Sequence, residues 1–375
     1  MSSRKSTFFY VCTGLGITIL ILNIAARFKG FCNMYRNTVY GFISDALGHM
    51  TSNLPIILGE VLMYVFIIIM MVFLILVILR VLLRSKSSIR NIYGGYSKFV
   101  LLTCLLTLFV YTLNWIIPFG GSVLEVKGAS DRKYTLDEVI AVRNIIVKKA
   151  NECALEVPRD DKGKVIYDNK KVKSELVYTM KKMGDDYPLL KGYYPDMKPA
   201  MISDVLDWMN IGGYTYPYTM EVTYNKYCTN LYYPFLFAHE SSHHQGYYKE
   251  SEANFIAFAA CINSDNKVAR YSGYLEIYDY IEEAVLNKIP NDEIDSFLKS
   301  QPSLSKQVCD DITDAVRQSE ELYNQDSHPA QKLSKSAEDA SEVGWEVQGD
   351  VLKEDGYDGV VEMVLKYYDV ENSGK

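Results

Sequence analysis

His239-Glu240-Ser241-Ser242-His243 holds two imidazoles four residues apart, with a carboxylate directly after the first. On a helix, side chains four apart share a face, so both imidazoles aim at one point. Neutral imidazole nitrogens converging in this way suit Zn²⁺, which favours N, S and O ligands in a tetrahedron. Glu240 follows the first imidazole by one position and therefore stands beside that point, not on it. From there it can take a proton from an attacking water and pass it to a leaving amine. The chain has only five His, and His239, His243 and His244 fall within six residues of one another. This concentration weighs against the bland reading, a solvated helix face. His244 lies about a quarter turn off the shared face and reads as a surface or supporting residue. His49 and His328 stand alone and carry no assignment.

A catalytic zinc site takes a third protein ligand and keeps one position open. Two acids, Glu250 and Glu252, follow at once. Gly246 allows a sharp turn that ends the first helix, so the chain can double back and bring an acid to the metal. Helical residues advance by about 100° each, so the two acids point to nearly opposite sides. The Glu250 face continues through the small residues Ala253, Asn254, Ala257 and Cys261, which let the two helices lie close. The Glu252 face continues through Phe255, Ile256 and Ala259. This favours Glu250 as third ligand. Asn254, one turn further on, can then hydrogen-bond a ligating His from behind and fix its tautomer.

Working outward, Leu231 to Ala238 is a short apolar lead into the motif, and Glu252 to Ile262 reads as helix. Tyr214 to Tyr224 is aromatic and β-branched, hence extended, with Pro217 marking an edge strand. Such an edge suits an extended substrate peptide that adds as a further strand. Pro199 to Asn210 reads as helix ended by Gly212-Gly213. Thr135 and Glu138 form a capping box for a helix that runs through Cys153. Asp160 to Gly163 is a turn between short extended runs. Gln325 to Ser341 is a loose stretch, and a last helix lies near Gly359 to Tyr368.

The first third is of another kind. Apolar runs from about Phe8 to Ala26, Ile56 to Leu83 and Phe99 to Phe119 are each long enough for a helix to cross a bilayer core. Arg27 directly after Ala25-Ala26 is a poor cleavage context, so the first run reads as a helix and not as a removed signal peptide. Arg80, Arg84, Lys86, Arg90 and Lys98 flank the connection between the second and third runs and hold it in the cytoplasm. Everything after Gly121 is then expected outside. The organisation is a membrane region over 1–121 and an extracytoplasmic domain over 122–375.

The net charge of −7 and the pI near 5.4 exclude a nucleic-acid binder that needs a basic face. None of the seven Cys forms a CxxC pair, which argues against a cysteine zinc site, and their spacing gives no disulfide framework.

The stretch from Tyr216 to Tyr274 resembles a known family. Its pieces are Pro217-Tyr-Thr-Met-Glu221, Pro234-Phe-Leu-Phe-Ala-His-Glu-Ser-Ser-His-His-Gln-Gly246, Glu250-Ser-Glu-Ala-Asn-Phe-Ile-Ala-Phe-Ala-Ala-Cys261 and Arg270-Tyr-Ser-Gly-Tyr-Leu275. They resemble the DUF3810-type bacterial multi-pass membrane proteins, which look like zinc peptidases of the gluzincin kind. That family pattern also begins with three spans and has a Gly-Tyr similar to Gly356-Tyr357. The resemblance implies a zincin-like domain, and an acid followed four residues later by Asp or Asn, as at Glu250 and Asn254, accords with it.

The expected fold is mostly α with a small β element, an α+β zincin-like domain after a bundle of three transmembrane helices. The expected function is a membrane-anchored zinc metallopeptidase with His239, His243 and Glu250 on the metal and Glu240 as base and acid. The partners are a lipid bilayer and a peptide or protein substrate. A scaffold or sensor that keeps the metal as structure is the rival reading; a purely structural site has no need of Glu240. An intramembrane protease is excluded, because the residues before His239 are too few and too aromatic to span a bilayer.

Overall fold

The computed structural model describes residues 2–325 and 356–373. The loose stretch expected around Gln325 to Ser341, and His328 within it, lie almost wholly outside these residues. The chain divides into two compact units. One comprises residues 1–122 and 216–221, the other residues 123–215 and 222–375.

The first unit is helical. Helices α1 (Ser2–Ala25), α2 (Lys29–Tyr35), α3 (Gly41–Ser52), α4 (Leu58–Leu82) and α5 (Ser87–Tyr111) follow one another, and a wider-wound turn, Thr112–Ile116, leads into α6 (Ile117–Phe119). Three helical segments, Thr7–Ala25, Leu58–Leu82 and Ser87–Phe119, are long and apolar enough to cross a membrane. On α4 the side chains of Leu62, Ile68, Leu74, Ile78 and Leu82 are exposed, a belt that only an apolar solvent would cover. The third segment is longer than its apolar core suggested. It begins at Ser87, so Arg90 and Lys98 sit on the helix, and the connection shrinks to Leu83–Lys86. The stretch from Arg27 to Pro55, between the first two apolar runs, is largely helical.

The second unit is also mostly helical. Its elements are α7 (Leu136–Glu156), α8 (Asn169–Met183), α9 (Ser203–Trp208), α10 (Tyr233–His244), α11 (Glu250–Ile262), α12 (Lys267–Leu286), α13 (Ile294–Ser300), α14 (Lys306–Gln325) and α15 (Gly356–Ser373). The capping box on α7 forms as read: the Thr135 N–H donates to Glu138 Oε2 at 2.8 Å, and the Glu138 N–H to Thr135 Oγ1 at 3.4 Å. The expected helix from Pro199 is shorter, because Lys198–Pro199 is strand β1 and only Ser203–Trp208 is helical. β2 (Gly213–Thr215) and β3 (Val222–Tyr224) complete a three-stranded sheet of order β1-β3-β2, with β1 parallel and β2 antiparallel to β3.

The aromatic stretch Tyr214 to Tyr224 is thus not one extended strand. It is a hairpin, and Pro217 lies in the connecting segment, not on a strand. Patterning alone could not separate the readings, since the tip, Tyr216–Glu221, is as aromatic and β-branched as its flanks.

Helix α11 is the centre of the second unit. From Ser251 to Cys261 every residue is buried. Helices α8, α10, α12 and α15 pack around it. Two ion pairs tie the outer elements in. Arg143 of α7, 2% exposed, makes a two-point contact with Glu282 of α12 at 2.6 and 2.9 Å. Arg159 does the same with Asp311 of α14, which also accepts from the Tyr271 hydroxyl at 2.7 Å.

In the first unit, the hairpin tip supplies a cap that no local pattern announces. The first N–H groups of a helix lack partners along the chain. For α4 these are met by buried Glu221: the Leu58 N–H donates to Oε1 at 3.0 Å and the Gly59 N–H to Oε2 at 2.8 Å. The Thr219 hydroxyl donates to Oε2 at 2.8 Å. A carboxylate there also complements the positive end of the helix dipole. Glu221→Ala would strand two N–H groups, one buried and one part-buried, and is expected to cost about 3 kcal/mol. Thermal unfolding in detergent micelles checks this; Glu221→Gln, which keeps one acceptor, should fall between, and an unshifted midpoint for Glu221→Ala would remove the cap's role.

Candidate metal centre

Pro234 stands in the first turn of α10, where its missing N–H costs nothing. The helix stops at Gln245 because Gly246 takes a positive φ of 101°, a conformation that suits glycine. The chain turns there, with the Gly246 N–H bonded to the His243 carbonyl at 2.9 Å and the Tyr247 N–H to the Ser242 carbonyl at 3.0 Å. Four residues later α11 begins at Glu250 and runs back along α10.

This turn brings His239, His243 and Glu250 together, the one group among the described residues whose His, Cys and carboxylate atoms are close enough to hold a metal ion. The two Nε2 atoms are 3.1 Å apart. Glu250 Oε2 lies 3.2 Å from His239 Nε2, and Oε1 lies 3.4 Å from His243 Nε2. A tetrahedral site with bonds of about 2.0–2.1 Å has edges of about 3.3 Å, so the spacing fits a metal of that kind.

The remaining imidazole nitrogens are engaged elsewhere. His239 Nδ1 lies 2.8 Å from Asn254 Oδ1, and His243 Nδ1 lies 2.9 Å from the Tyr247 carbonyl. A carbonyl-type oxygen accepts, so each Nδ1 carries a proton, and each Nε2 faces the cluster as the nitrogen a metal would engage. Phe235 stacks on His239 and Tyr248 on His243, at ring distances of 6.4 and 6.2 Å. The cluster opens on the Glu250 side, whose side chain is 41% exposed against 7% for His243.

Electrostatics hold the group together. Burial works to raise the Glu250 carboxyl, but His243 and His239 overcome it and keep the group well below the usual carboxylate range. Burial likewise works against a charge on His243, and Glu250, helped by Glu240, brings it up to about 9. A metal would take the place of the proton shared here.

Glu240 is buried beside this cluster and outside it. Burial pushes its carboxyl up, and the neighbouring His239 and His243 only partly offset this. Thr215 Oγ1 lies 3.1 Å from Glu240 Oε2 and 2.8 Å from the Glu240 carbonyl. Strand β2 crosses the side chain closely: a Cβ on Gly213 would meet Glu240 Oε1 at 3.3 Å and the Thr223 carbonyl at 2.5 Å. Gly213 was read only as a helix stop, whereas here it is the absence of a side chain beside Glu240 that matters.

The two competing acids separate cleanly. Glu250 faces the imidazoles. Glu252 is fully buried on the other side, where Oε1 accepts the Leu124 N–H at 2.7 Å. Asn254 lies behind His239, where helix phase put it. His244 is fully buried, which removes the first of its two readings, surface or supporting residue. Sequence reasoning passed over Thr215, Tyr280 and the Tyr247 carbonyl, for which no spacing rule gives a signal.

The family model described as "Protein of unknown function (DUF3810)" matches residues 35–340. The chain belongs to the DUF3810 family. The DUF3810 match takes in α10, α11 and the second and third apolar helices, while α1 and Gly356-Tyr357 lie outside it. No curated protein and no solved structure matches the chain.

Because Glu250 and Glu252 have different partners, their losses should differ in kind. Glu250→Ala is expected to lower Zn²⁺ affinity at least ~10²-fold, beyond the effect of losing a supporting hydrogen bond; it also takes away the charge partner of His243, so the metal-free unfolding midpoint should fall with it. Glu252→Ala should lower that midpoint and spare affinity. Equilibrium dialysis and calorimetry on the two variants check this, and the reverse pattern would exchange their roles.

Proposed function

We propose that this DUF3810 protein is a membrane-anchored zinc metallopeptidase of the gluzincin kind, with a zincin-like second unit. The observation that carries the reading is the convergence of two Nε2 atoms and a carboxylate beside a buried, separately held Glu240. A donor set of two imidazoles and one carboxylate suits Zn²⁺ and leaves a fourth position open. His239, His243 and Glu250 would hold the ion. When bound, Zn²⁺ supplies Lewis acidity that makes water a nucleophile near neutral pH.

The remaining chemistry belongs to this chain. Glu240, its proton affinity raised by burial, takes the proton of the attacking water and returns it to the leaving amine. Thr215 holds the Glu240 carboxylate by its Oε2. Phe235 and Tyr248 keep water off the imidazole faces. Substrate would lie along β2, an end strand of the sheet. The pairs Gly212–Asn225 and Tyr216–Glu221 are hydrogen-bonded, so the main-chain groups of Gly213 and Thr215 point away from β3. An extended peptide adding there would pass Glu240.

Glu240→Gln should keep Zn²⁺ and lower turnover by about 10²–10⁴-fold. His239→Ala and His243→Ala should lose the ion itself. Cleavage of a peptide library by the full-length protein in micelles, with metal content measured in parallel, checks this. Wild-type cleavage by Glu240→Gln would reject the base role and favour a scaffold that keeps the ion as structure.

With the basic connection near Arg84 and Lys86 held in the cytoplasm, the second unit would lie outside the cell. Reporter fusions after Ser85 and after Lys127 should report cytoplasm and exterior respectively. A cytoplasmic signal from the second fusion would reverse the sidedness.

A further inference from the structure

Asn254 makes two directional bonds with its amide. Oδ1 faces His239 Nδ1 at 2.8 Å, and Nδ2 donates to the Tyr280 hydroxyl on α12 at 3.2 Å. Asn254 is buried, at 4% exposure, so its amide depends on its protein partners. An amide has an acceptor end and a donor end of nearly the same shape, so packing alone cannot choose between its two orientations.

The choice matters for His239. With Oδ1 toward it, Nδ1 must carry the proton and Nε2 keeps a lone pair for the cluster. With Nδ2 toward it, Nδ1 must accept, the proton moves to Nε2, and the imidazole can no longer ligate. The partner of the far end of the amide therefore decides the near end. Nδ2 can only donate, and the Tyr280 oxygen offers it an acceptor.

We propose that Tyr280 is a positioning residue: by accepting from Asn254 Nδ2 it fixes the amide and so sets His239 in the tautomer that ligates a metal. This rests on the metal reading above but not on peptidase activity. Tyr280→Phe removes the acceptor and keeps the ring. Asn254→Asp puts two acceptor oxygens in place of the amide, which then has no wrong orientation.

The experiment is a double-mutant cycle on the full-length protein in micelles, with Zn²⁺ affinity read by competition against a chromophoric chelator and the unfolding midpoint of each variant recorded. Tyr280→Phe alone should weaken affinity by ~10-fold, the lower end for a residue that supports a ligating His. In the Asn254→Asp background the same change should weaken it by less than about 3-fold, because nothing remains to be oriented. An equal loss in both backgrounds, or none in the wild-type background, overturns the positioning role while leaving the metal site standing. A wild-type chain that binds no Zn²⁺ overturns both together.

Discussion

Everything in the second unit is arranged around one costly approach: two imidazoles and a carboxylate held at hydrogen-bonding distance in a nearly buried setting. Charges brought out of water cost several kcal/mol unless matched. The match comes from helices that must lie very close. Small residues on the Glu250 face of α11 allow this, and the turn at Gly246 sets the reversal. The surrounding helices then enclose α11 from Ser251 to Cys261, and the Arg143 and Arg159 pairs hold the outer layer to them.

Much of the site was legible, because its signal is local. The four-residue spacing of His239 and His243 needs only helical geometry, and the separation of Glu250 from Glu252 needs only helix phase. Gly246 is readable because it sits where the periodic pattern breaks. Thr215, Gly213 and Tyr280 belong to other elements and come to the cluster by tertiary packing, for which one chain carries no spacing rule. His244 was left open between surface and support because a polar residue next to a motif looks solvated until the helices that cover it are known.

The fold was legible to the same degree and for the same reason. Long apolar runs mark helices by length and composition, and three appear at the expected places. Their ends were less well read, since Ser87 to Lys98 is polar enough to look like a connection yet extends the third helix. The hairpin was missed because alternation and aromatic content describe its tip as well as its strands. DUF3810 membership sharpens this picture without adding chemistry, so the chemical reading rests on the side chains themselves.

The cap on α4 has a consequence in time. Its two N–H groups are answered by a carboxylate 162 and 163 residues further along the chain. At a synthesis rate of about 5–20 residues per second, that carboxylate emerges roughly 8–30 s after the helix it completes. During that interval the helix start lacks this acceptor, and the first unit cannot close until the hairpin tip that follows β2 has been made. Assembly of the apolar helices is therefore obliged to wait for the domain that follows them, and a ribosome stalled before residue 221 would leave an unfinished bundle.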